Sequence, residues 1–413
     1  MKLTTPRILI CSALALSLLA IEARAVTLSA RVSVVGTDNA TTVATVTQQT
    51  PGPVLAVATS PANLGDLSLL VGGSPLTQAA GVIMAQPHQF QYAGVGNRNM
   101  IETPGELSAT VPAGFPVGMW LSTTNVSGAG TENNFNFALS HFPFADGWTA
   151  GHIKGTDGTF LAGNSAGVTV TTQFNVPDPT FGTGHYTLSI AGIDTRGNGM
   201  LFAMSEENSS SGNVVPVGIL PDGSGWDIRI NDQGGNFPAT EQADWSFVYV
   251  PYNAFNLVAG GQLSLTEGTT ISVLNGVGTF TATRVDLGVN GSITPPTAPD
   301  GVIDAGRFLI TIPGRDDTTG TLMIGTSKYA SSGGFSGADD NFLTYQYDAT
   351  LGGFLVESYD LAGANLQDSD IYFAYFDDAN PIVVPEPSTG WLAVAVILAI
   401  GCRSAARRGF KGR

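Results

Sequence analysis

Four histidines, a G-x-S-x-G string and several paired aspartates are the groups in this chain that could do chemistry. His88, His141, His152 and His185 never stand at ligand spacing on one strand, and no thiolate lies among them, so no metal centre is expected. Gly163-Asn164-Ser165-Ala166-Gly167 has the residues of a nucleophile elbow. That elbow needs a strand before it and a helix after it. Here the alternating run VTVTTQF follows, so Ser165 reads as a turn residue. Asp300 and Asp304 flank a glycine turn, and Asp316-Asp317, Asp339-Asp340 and Asp377-Asp378 are paired. Carboxylates clustered in loops are what Ca2+ prefers. Aspartate is equally the ordinary turn residue, and no EF-hand spacing is present, so no cofactor is assigned. Paired carboxylates could also hydrolyse a glycoside, but no acidic cleft lined by tryptophan stands out. Trp120, Trp148, Trp226 and Trp245 could stack on sugars. Trp226 and Trp245 sit in alternating strands and read as core, which leaves Trp148, in the loop Asp146-Gly147-Trp148, as the best exposed platform. No catalytic residue is assigned.

The elements that would position these groups are strands. Short alternating runs bounded by Gly, Pro, Asn and Asp fill the chain, and long helical stripes are missing. Residues 168–174, 226–231, 279–285 and 353–359 are examples, with Asp222-Gly223 and Asn290-Gly291 as turn signals. An internal repeat orders them. Residues 105–111, 184–190 and 306–312 each begin with Gly and alternate, with Tyr186 and Phe308 expected on one buried face. A second apolar strand is expected at 119–121, 200–202 and 322–324, and an aromatic one at 137–141, 245–249 and 371–375. His141 falls where the other copies carry Tyr249 and Tyr375, so it reads as a packed ring. The first copy is shorter and lacks a counterpart of 226–231. The fold class expected is all-β, with tandem β-sandwich or jelly-roll-like modules. They cover 26–144 (with a divergent first repeat), 145–252 and 253–380.

Charged residues make up only 12% of the 413, and the net charge of −16 opposes a nucleic-acid partner. Between Val26 and Val384, nine basic side chains against 31 acidic ones leave −22. Cys11 and Cys402 both fall in the end segments, so the body between has no disulfide or thiolate chemistry.

The two ends read as routing signals. Lys2 and Arg7 precede the apolar run 8–21, and Ala23 and Ala25 are the small residues that a signal peptidase needs. Residues 1–25 are therefore expected to be a signal peptide, used by the Sec translocon and signal peptidase, with Val26 as the mature start. At the other end Pro385, Glu386 and Pro387 precede the twelve-residue apolar run WLAVAVILAIGC. Arg403, Arg407, Arg408, Lys411 and Arg413 follow it. Twelve helical residues span ~18 Å against a bilayer core of ~30 Å. This transmembrane helix suits a temporary stop, with the basic tail held cytoplasmic.

In its motif, helix and tail together, the segment 384–413 resembles the sorting signal of PEP-CTERM proteins. The resemblance covers this end alone. It implies processing by an exosortase, a membrane-embedded cysteine peptidase, and passage from an inner-membrane intermediate to the cell surface or extracellular matrix. The expected function is structural or adhesive and non-enzymatic. Exopolysaccharide binding is the first alternative and a secreted hydrolase the second.

Overall fold

The computed structural model describes residues 28–35, 43–49, 55–59, 66–88, 99–125, 136–173, 184–206, 213–232, 242–254, 257–266, 270–287, 299, 301–329, 341–359 and 366–377. The expected signal peptide, the expected sorting segment and the transmembrane helix expected within it lie outside them. Among the described residues no helix is long and apolar enough to cross a membrane.

The protein is all-β, built of antiparallel sheets. The first unit holds β1 (Leu28–Val35), β2 (Val43–Gln49), β3 (Leu55–Thr59), β4 (Leu67–Val71) and β5 (Ser74–Pro75). It continues with β6 (Gly81–Pro87), β7 (Asn99–Glu102), β8 (Trp120–Asn125) and β9 (Phe137–Pro143). The second holds β10 (Ala150–Ile153), β11 (Phe160–Gly163), β12 (Val168–Thr172), β13 (His185–Ile190) and β14 (Gly199–Ser205). It continues with β15 (Asn213–Val214), β16 (Val217–Ile219), β17 (Trp226–Arg229), β18 (Asn231–Asp232) and β19 (Trp245–Pro251). The third holds β20 (Leu257–Thr266), β21 (Thr270–Val277), β22 (Thr281–Arg284), β23 (Arg307–Thr311) and β24 (Gly320–Thr326). It ends with β25 (Lys328–Tyr329), β26 (Phe342–Asp348), β27 (Gly353–Tyr359) and β28 (Ile371–Asp377).

All three units share one strand order. The inner sheets run β2-β1-β9-β6, β11-β10-β19-β14 and β21-β20-β28-β24. The outer sheets run β3-β4-β8-β7, β12-β13-β17-β16 and β22-β23-β27-β26. The two-residue strand β25 adds to β16 in parallel, so unit three lends a short edge to unit two. Each aromatic strand (β9, β19, β28) pairs only inside its own unit.

Two assignments of the first repeat copy are corrected by this order. Residues 105–111 form turns, not a strand. Gln78 Oε1 accepts from the Leu107 and Ser108 N–H groups (2.6 and 3.2 Å), and Ser108 Oγ accepts from Gly105 N–H (3.0 Å). These local bonds take the donors a ladder would need. The true counterpart of β13 and β23 is β4. Residues 119–121 lead into β8, which matches β17 and β27, so the segment thought missing from the first copy is present. The partner of β14 and β24 is β6. In the other copies the reading holds: Tyr186 in β13 and Phe308 in β23 are both fully buried.

Apart from the edge strands β2, β11 and β21, the strands of the inner sheets are buried on both faces. In β6, Ile83 and Ala85 enter the core of the first unit, while Val82 and Met84 join a central core with the second. In β28, Ile371, Phe373 and Tyr375 face their own unit, and Tyr372, Ala374 and Phe376 face the centre. Burial on both faces is why these strands read as unbroken apolar runs.

The units close into a ring. β6, β14 and β24 touch one another pairwise. β24 also touches β9 and β1, β6 touches β19 and β10, and β14 touches β28 and β20. Each relation passes to the next by the same cyclic step, as it would around a threefold axis. Exposed edge strands are aggregation hazards, and here neighbours cap the edges formed by β6 and β24. Gln86 Oε1 accepts from Ile324 N–H (2.8 Å), and Met204 Sδ from Ala85 N–H (2.9 Å).

Candidate binding site

The four histidines do not converge on one centre. His88 stands edge-on to Tyr345 of the third unit, with ring centroids 4.9 Å apart. Burial, helped by the Arg31 charge, lowers its pKa to about 4. His141 occupies the expected aromatic slot. A Cβ at Gly81 would lie 2.6 Å from His141 Nε2, just as one at Gly199 would lie 2.7 Å from Tyr249 Oη. The glycines that open β6, β14 and β24 make room for the rings on β9, β19 and β28. Burial and then the nearby His152 lower the His141 pKa to about 4. His185 is bonded to Asp227 in the neighbouring strand.

Ser165 lies in the turn between β11 and β12, where Val168 N–H donates to its carbonyl (3.0 Å). Asp194 and Asp316 occupy matching turns before β14 and β24. Asp194 Oδ1 accepts from Arg196 N–H (3.0 Å) and Asp316 Oδ1 from Thr318 N–H (2.8 Å). Asp317 pairs with Arg31 across the ring closure (2.7 Å), Asp377 with Arg315 (3.0 Å), and Asp304 with Arg307 (3.3 Å). Asp300, Asp339, Asp340 and Asp378 lie outside the described residues. Among the described residues no three His, Cys, Asp or Glu side chains gather as a metal site.

Trp148 is not an exposed platform. It is 1% exposed, edge-on to Phe142 at 5.0 Å, because the loop carrying it folds under the unit boundary. Trp120, Trp226 and Trp245 are buried as well. Ala23, Ala25, Pro385, Glu386, Pro387 and the five basic tail residues all lie outside the described residues.

Two buried polar groupings escaped the sequence reading. At the boundary of units one and two, His152 is bonded to Glu206 through Nδ1 and to Gly81 O through Nε2 (2.9 Å). Gln78 Nε2 donates to Glu206 Oε2 (2.9 Å). Burial alone would lower the His152 pKa, but the Glu206 charge, its hydrogen bond and the Gly81 carbonyl outweigh burial and raise it. Close by, Glu102 Oε1 accepts from Ser205 Oγ (2.9 Å) and Asn213 N–H (3.1 Å). In the third unit Arg307 binds Glu357 Oε1 (2.7 Å) deep between β23 and β27. These partners are dozens of residues apart, and only the ring and the sandwich bring them together.

A cavity of about 110 Å3 opens where the ends of β6, β14 and β24 meet. All three units line it. Gln86, Ser205, Thr326 and Asn341 supply polar groups, with Met100 and Phe342 among the apolar ones. Met100 of β7 and Phe342 of β26 share one small apolar cluster, against which Val214 of β15 packs. Comparison with protein-family models, with curated proteins and with solved structures finds no match.

Proposed function

We propose that this is an exported cell-surface or extracellular-matrix protein with a structural or adhesive role. The observation that carries this reading is the order Pro385-Glu386-Pro387, apolar run, basic tail at 384–413, behind a body that begins after Ala23 and Ala25. On this reading the Sec translocon and signal peptidase release Val26 as the new N-terminus. The short apolar run then holds the chain in the inner membrane for an exosortase. The prolines lack donors and keep the motif extended and accessible.

The body suits such a destination. It has no cysteine to oxidise, its units close on one another, and the four tryptophans Trp120, Trp148, Trp226 and Trp245 serve the core. We read each unit as a jelly-roll-like sandwich and the three as copies of one ancestral module. The deciding experiment is mass spectrometry of the C-terminal peptide in a host that contains the exosortase. Wild-type surface protein is expected to lack Trp391 to Arg413. Glu386→Ala, which removes the only charge of the motif, is expected to accumulate at full length in the inner membrane. Surface protein that keeps the tail would make it a plain anchor and overturn the reading.

A further inference from the structure

We propose that the cavity on the ring axis binds a small, neutral, hydroxyl-rich molecule: a polyol, or the end of a saccharide. This goes beyond a structural role and does not depend on the routing of the chain. Its basis is the set of unspent polar valences on residues that line one space.

Asn341 is 1% exposed. Its Nδ2 donates to Ser358 Oγ (3.0 Å), while its buried Oδ1 has no partner among the described residues. A buried carbonyl oxygen without a donor is rare in folded proteins and calls for one. Gln86 spends Oε1 on Ile324 N–H, which leaves its two Nε2 hydrogens. Thr326 Oγ1 accepts from Val217 N–H (3.0 Å), which leaves its hydroxyl hydrogen. The lining thus offers donors from units one and three and an acceptor from unit three. A hydroxyl group both donates and accepts, so it can answer either kind.

No Lys, Arg, Asp or Glu is among the lining residues. An ion entering would lose its hydration with no countercharge to replace it. A hydrocarbon would leave Asn341 Oδ1 unanswered. Met100, Met204 and Phe342 suit the C–H faces of a polyol or sugar. Size agrees as well. One water needs only ~10–15 Å3 of such space, and a cavity of ~150 Å3 takes benzene. At about 110 Å3 the space takes glycerol or one edge of a larger polyol or sugar, the rest of which stays outside. Because each unit supplies part of the wall, the site exists only in the closed ring.

Titration calorimetry on the purified full-length chain in detergent tests this, with glycerol, erythritol, methyl xyloside and glycerate as probes. Saturable binding is expected for a neutral probe and none for glycerate, the charged counterpart of glycerol. Binding by glycerol or erythritol alone assigns a free polyol, and binding by methyl xyloside a saccharide end. Asn341→Leu should weaken binding at least tenfold. Ala203→Leu fills the space from the second unit without touching the three polar groups, and it should abolish binding even if the first variant folds poorly. No saturable heat from any neutral probe, equal binding of glycerate, or wild-type affinity in Ala203→Leu would overturn the proposal.

Discussion

His141 is the residue where one substitution reads out most. Its pKa falls to about 4 when it is buried, against 6.5 in the unfolded chain. Below pH ~6.5 the unfolded state therefore binds the extra proton, and stability is lost as pH falls from there toward 4. A shift of that size is worth about 3 kcal/mol. The matching positions hold Tyr249 and Tyr375 against the same opening glycine, so His141→Tyr has a precedent within the molecule. It is expected to narrow the gap between melting temperatures at pH 5 and pH 8, leaving the share of His88. His152 acts in the opposite sense. Its raised pKa means that its contribution is complete below pH ~6.5 and is lost as pH rises through the folded value. His152→Ala leaves Glu206 buried without its cation, at a cost of about 3–5 kcal/mol. Urea denaturation at pH 6 would measure it.

At the scale of elements, the glycines that open β6, β14 and β24 are packing residues. A Cβ at Gly199 would come within 2.5 Å of Val250 O, a backbone atom that cannot step aside. Gly199→Ala is expected to cost about 1–3 kcal/mol, read from the denaturation midpoint. The sequence showed the strands of units two and three because their fourth strands alternate and start with Gly. It misled in unit one for a physical reason. β4 is the run LSLLV, with no alternation to mark it, whereas 105–111 alternates yet gives its N–H groups to Gln78 and Ser108. Periodicity reports side-chain direction and is blind to where the donors go. The cavity was hidden for another reason. Gln86, Thr326 and Asn341 belong to distant strand ends whose meeting depends on ring closure, which no local pattern encodes.

At the scale of the whole molecule, the units share their central core. Val82, Met84 and Phe142 of the first, with Tyr372 and Phe376 of the third, pack on the second. Removing residues 257–377 would expose this face, so the shortened chain is expected to bind a hydrophobic dye and aggregate. The intact protein should melt in one calorimetric transition instead of three. Ring closure also joins first strand to last unit, through Arg31 and Asp317. The strand that leads toward the proposed sorting segment is β28, and it lies in the middle of its sheet, laddered to β20 on one side and β24 on the other. A body held by its C-terminal end would take any pull along this strand. Two ladders would bear that load together in shear, and neither could unzip one bond at a time. Under tension the lifetime of a tether follows the unfolding rate more than the equilibrium stability. On the proposed C-terminal attachment, the placement of this one strand sets the load in shear across two ladders.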